Sequence, residues 1–180
     1  MTVSQEDVKQ FFKLWIPLLQ FASEAFDLHA GHLLKPSGNF DFAAGMKVAE
    51  AIWSDVSVID DYPSWRTDLT EAERDIVLGW KRAVHGHFAV ERHLRGGSIF
   101  ISLDDNRVYL VKGLASTWQE LCEGRPMPVI MTATLLPFKG VVITDGLFSV
   151  SAVTVGPNYR QGFKETYMAA KQEGRIIKAI

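Results

Sequence analysis

The hydrophobic period of this chain changes at Gly96-Gly97, and no other feature constrains its fold so much. Before that pair, apolar residues recur every three or four positions. After it they alternate. Helical segments followed by strand segments predict an α+β fold, a helical N-terminal layer packed on an antiparallel sheet. Val8, Phe11, Trp15, Leu19, Ala22 and Phe26 mark one face of a first helix, and Leu14, Leu18 and Phe21 add a second apolar stripe. A helix apolar on two sides is either central in a core or half of an interface, and Pro17 is expected to kink it. Asp41 can cap a second helix over Phe42 to Ser54, and Tyr62-Pro63-Ser64 breaks the chain. Thr70 and Glu73 have the spacing of a capping box. The periodicity then predicts one long helix from Glu71 to Arg95, with Val77, Trp80, Val84 and Phe88 on its apolar face.

Beyond Gly97, Ile99, Ile101 and Leu103 lie on one face of a strand. Asp104-Asp105-Asn106 is a hairpin turn, and Val108 to Val111 returns. A short helix capped by Ser116 follows. Strands are then expected over Pro128 to Leu136, Val141 to Thr144 and Leu147 to Val155, a helix over Tyr159 to Glu173, and a last strand over Arg175 to Ile180. The order is ββαβββαβ. The chain reads as a single domain, 1–180, with 1–97 as helical layer and 98–180 forming the sheet. Its 180 residues can bury a core without staples.

Charge and cysteine usage narrow the function classes. Lys and Arg total 19 against 21 Asp and Glu, a net charge of −2. No whole-molecule field attracts nucleic acid, and no recognition motif for it is present, so nucleic acid does not fit as the principal partner. The sharpest basic feature is a local stripe of Arg82, Arg92 and Arg95. The one cysteine, Cys122, cannot form an internal disulfide or supply a zinc site by itself. The apolar run from Leu14 to Ala22 is too short to span a bilayer, since about 20 residues are needed. A cytoplasmic protein with no membrane contact is the expectation, with no resident cofactor and no metal.

Three constellations are candidates for chemistry. On the expected long helix, His87 and Glu91 are four apart and share a face, as paired ligands or an acid–base pair require. His32, from the end of the first helix, would complete a catalytic centre if the fold brought it near. Asn158 and Arg160 lie where a strand gives way to a helix, the order that aims helix amides at an anion. Asn158 as an N-cap accounts for the same residues without a ligand. Lys139, at the tip of a Pro-Phe-Lys-Gly turn, and Asp145, beyond the next strand, are not required by the turns themselves and complete the ligand-binding candidates.

The segment Leu135-Leu-Pro-Phe-Lys-Gly140, the Asp145-Gly-Leu147 run after it and the run from Trp80 to Leu94 resemble a family of uncharacterised bacterial proteins. That resemblance implies one integrated domain and brings no activity, cofactor or site residue. The sequence therefore points to a non-catalytic binding or regulatory module. Its partner would be a protein, a second copy met through the first helix, or a small anion. An enzyme centred on His87 and Glu91 is the rival, and a nucleic-acid-binding protein the third class.

Overall fold

The computed structural model describes residues 1–28, 33 and 39–180. The chain divides into two compact units, Glu6–Ala83 and a second unit that joins Met1–Gln5 to Val84–Ile180. Fold class is as the sequence implies, α+β, with helices first and a six-stranded, mostly antiparallel sheet after them. The division falls at Val84, however, and not at Gly96-Gly97.

The first unit is helical: α1 (Gln5–Ala25), α2 (Phe42–Ser54), α3 (Val58–Trp65) and α4 (Glu71–Gly79). Asp41 caps α2 as expected, its carboxylate accepting from the Ala44 amide at 3.2 Å. Pro63 does not end a helix but lies inside α3. Most of both stripes of α1 is buried, Phe21 and Phe26 only in part. Leu14 and Leu18 are fully buried, and Trp15 stacks on Trp53 at 5.5 Å and meets Trp80 edge-on at 5.7 Å. Phe21, the third residue of the stripe expected to form a contact between copies, is half-buried against Tyr62 and Trp65.

The expected long helix stops at Gly79. One 3-10 turn, Trp80–Arg82, follows, and Val84–Leu94 is strand β1. Arg95-Gly96 is the hairpin turn into β2 (Gly97–Ser102), which runs antiparallel to β1 and pairs Gly97 with Leu94. β3 (Val108–Val111), α5 (Trp118–Leu121), β4 (Val129–Phe138), β5 (Val141–Thr144), the two-residue β6 (Ser149–Val150) and α6 (Pro157–Gln172) complete the unit. Arg175–Ile180 is not a strand; only Ile177 bridges to Tyr109.

Neighbouring strands succeed one another as β1-β2-β3-β5-β4, and β4 pairs again with β1 over Val129–Leu135 against Val84–Val90. The sheet therefore closes on itself. Five strands in this order, with a helix between β3 and β4, form the topology of an OB-type Greek-key barrel. Its seam is thin. β3 and β5, the parallel pair, meet at Val111 and Val142, and the rest of the β3 edge is taken by Ile177, which exchanges hydrogen bonds with Val108 and Leu110. Phe88, Val90, Phe100, Tyr109, Val111 and Met131 pack inside the barrel. Outside, Ala89, Ile99, Ile101 and Val108 form a second apolar surface, and α6 covers it with Tyr167 and Ala170. β2 is consequently buried along its whole length.

Candidate ligand-binding site

β1 separates the His87 and Glu91 that a helix would have paired. On a strand, four residues span about 13 Å, so His87 and Glu91 cannot hold one ion or one proton between them. His87 is exposed on the outer face opposite Thr132. Glu91 sits where the β1–β2 register slips, and its carboxylate pairs with the adjacent Arg92 guanidinium. That pairing holds Arg92 further above its ordinary range, and its guanidinium lies 4.4 Å over the Tyr167 ring. His32 lies outside the described residues. His85 shares its Nδ1 with the Thr134 hydroxyl at 2.8 Å. Among the described residues, no three His, Cys, Asp or Glu side chains are grouped to hold a metal.

The Lys139 and Asp145 pair is also separated, one at each end of β5. Lys139 and Gly140 both have positive φ, 48° and 77°, which makes them the two central residues of a tight hairpin turn. The Lys139 ammonium lies 5.6 Å from the Phe138 ring. Asp145 is buried at 2% exposure, and its carboxylate accepts from the Leu147 amide at 2.9 Å. The Asp-Gly-Leu run is thus an Asx-type turn, with Gly146 at φ 81° supplying the left-handed step.

Asn158 fares differently. The N-cap of α6 is Gly156, Pro157 takes the first helical position, and no side chain caps the helix. Asn158 is the second residue of the helix, so capping no longer explains it. It lines a cavity of about 760 Å³ on the barrel unit. α6 forms one wall through Asn158, Tyr159, Gly162, Phe163 and Thr166. Val153 to Gly156 form a second, and Leu103, Asn106 and Ile130 close the third. The volume is that of a drug-sized ligand site. The wall is largely aliphatic and aromatic, with Asn106, Thr154, Asn158 and Thr166 as hydrogen-bonding groups. Tyr159 is its one titratable side chain among the described residues. Arg160 is not in the wall. Its Nε donates to the Val155 carbonyl at 2.9 Å, which fastens the 153–156 segment to the helix.

Sequence reasoning therefore found one wall residue, Asn158, and one residue that shapes the wall, Arg160. It missed Leu103, Ile130 and Phe163, whose spacing is that of ordinary core residues. The one signal available was Gly162, a glycine inside a helix that needs no unusual φ. A Cβ built there meets nothing within 4 Å.

No family model matches the chain, and no curated protein and no solved structure matches it. Among the described residues, no helix is long and apolar enough to cross a membrane.

Proposed function

We propose that the barrel unit is a non-catalytic binding module and that its ligand sits in the cavity beside α6. The single observation that carries this reading is the cavity itself, about 760 Å³ with an apolar wall and a few polar groups. Its wall offers surface and hydrogen bonds, without, among the described residues, the pair of titratable groups that proton transfer needs. The ligand is a small molecule with an apolar body and one polar or anionic end. The polar end lies toward Asn158 and the uncapped start of α6, where the helix dipole favours negative charge. This keeps a small anionic group as ligand chemistry but moves the affinity from Arg160 to apolar burial.

The nucleic-acid reading loses support from α6. OB-type barrels take oligonucleotides on the face of strands 2 and 3, and here the outer face of β1, β2 and β3 lies under Tyr167 and Ala170. The enzyme reading loses its centre with the separation of His87 from Glu91.

Decanoate is a suitable probe, having an apolar chain and one carboxylate. Two-dimensional amide NMR of the whole protein should show saturable shifts confined to Asn106, Ile130, residues 153–159 and Phe163. Gly162→Leu fills open space without strain and improves helix propensity, so it should keep the fold and abolish the shifts. Shifts that persist in Gly162→Leu, or that scatter over the surface, would refute the site.

A further inference from the structure

A second cavity, of about 510 Å³, opens beside α5 and has a different chemistry. Cys122, Met127 and His93 all line it, with Arg125, Glu120 and Glu123. Cys122 closes α5 and belongs to the barrel core, and Met127 packs against that same core. His93 arrives from the far side, on β1, because of the bulge. Up to Val90 the even-numbered residues of β1 point into the barrel, Phe88 and Val90 among them. The register then slips, so that Arg92 pairs with Ile99 and His93 with Ser98. Ile99 belongs to the outer surface, so Arg92 faces outward and His93 faces inward. A bulge re-aims side chains in this way, and such bulges concentrate beside sites. The Ser98 hydroxyl holds His93 Nδ1 at 2.8 Å. It fixes the ring as an outer partner fixes a metal-ligating histidine.

We infer that this cavity is a site for a soft monovalent cation, copper(I), held by Cys122 Sγ, Met127 Sδ and the His93 imidazole. A thiol, a thioether and an imidazole form a soft donor set. Zinc is not the fit, because it asks for a closed tetrahedron of His, Cys or carboxylate and no such group of three exists among the described residues. Copper(I) takes fewer donors and accepts a thioether. Without metal the Cys122 side chain is a protonated thiol, as an ordinary cysteine is at neutral pH. Binding breaks the S–H bond, forms the Cu–S bond and delivers the proton to solvent. The thiolate then neutralises the metal's charge.

The test is titration of the whole protein with Cu(I) under anaerobic conditions, with bicinchoninate as competitor. The expected result is one Cu(I) per chain, near-ultraviolet thiolate-to-copper absorption, and release of one proton per metal. Cys122→Ala should remove the absorption band and the competition. Met127→Leu and His93→Gln, which keep core volume and the Ser98 hydrogen bond respectively, should each weaken binding by about tenfold or more. His87→Ala should change nothing. Should Cys122→Ala fail to fold by circular dichroism, Met127→Leu and His93→Gln decide the matter. Retention of wild-type affinity in both, or copper uptake by folded Cys122→Ala equal to wild type, would overturn the assignment. So would a wild-type protein that takes no copper from the competitor.

Discussion

Removal of the Tyr167 ring should loosen α6 and, with it, one wall of the larger cavity. Tyr167 is 3% exposed and packs in the outer cluster with Ala89, Ile99, Ile101 and Val108. Truncating a buried aromatic to alanine costs about 3–5 kcal/mol. Tyr167 and Ala170 are the buried residues of α6, so the helix can settle partly into the space, and the low end of that range applies, about 3 kcal/mol. Within it, the Arg92 guanidinium at 4.4 Å contributes about 0.5–1 kcal/mol, because Arg92 is partly solvated. Tyr167→Leu should then cost about 1–2 kcal/mol, keeping apolar contact and losing the cation–π pair. The assay is equilibrium urea unfolding of wild type, both variants, Arg92→Gln and the Arg92→Gln/Tyr167→Leu double variant. Hydrogen exchange of α6 amides and decanoate affinity are read on the same proteins. The α6 amides should lose protection in Tyr167→Ala before those of β1 and β4 do. A loss below about 1 kcal/mol in Tyr167→Ala, with decanoate affinity unchanged, would refute the argument that Tyr167 seats the helix. Additivity in the double variant would remove the cation–π contribution alone.

Glu73 gives a pH prediction. The Lys13 ammonium at 2.7 Å, then the Thr70 amide, hold its carboxyl at about 2 against an ordinary 4.5. The folded value is the depressed one, so this stabilisation is complete above about pH 4.5 and is lost as the pH falls toward 2. The nominal figure of about 3 kcal/mol is cut to roughly 1–2 because Lys13 is 56% exposed. Unfolding of Glu73→Gln should therefore depend less on pH between about 4.5 and 2, and equal slopes would contradict the assignment. Gly97→Ala should destabilise the barrel by about 1–3 kcal/mol, since φ there is 149° and an added Cβ would come within 2.6 Å of the Val111 carbonyl oxygen. Thermal unfolding checks it, and a stable Gly97→Ala protein would mean the β1–β2 turn is built otherwise. Thr70→Ala should cost about 1 kcal/mol through loss of the α4 cap, read by urea unfolding.

Much of the helical unit was legible because its signals are local. Asp41 and the Thr70–Glu73 box act on amides three residues away, so the sequence contains both partners. The sequence leaves β1 ambiguous because Val77, Trp80, Val84 and Phe88 satisfy a helical spacing, while Gly86, Phe88 and Val90 satisfy a strand's equally well. What decides between them is β4, some forty residues later, which supplies the hydrogen bonds. Gly79 and Gly86 were the available warnings, each unfavourable in a helix. The candidate site was legible only in part for the same reason. Asn158 was singled out by the strand-to-helix order, yet its release from capping depends on Pro157 occupying the first helical position. Lys139 and Asp145 stood out by charge, and charge does not tell a turn-forming residue from a ligand-binding one. The inward aim of His93 depends on a single slipped residue in β1, which no periodicity records.

The seam of the barrel bears on the order in which the molecule assembles. Thr2 bridges to Gly113, and Tyr109 waits for Ile177. During synthesis the first of these partners leaves the ribosome more than a hundred residues ahead of the second, with the whole of Glu6–Ala83 between them. The helical unit has its contacts at hand and can condense at once. The barrel must close long loops before its contacts repay that cost, and long-range closure is slow. Refolding should therefore be biphasic, with helix signal returning first and hydrogen-exchange protection of the amides paired between β1 and β4 returning last.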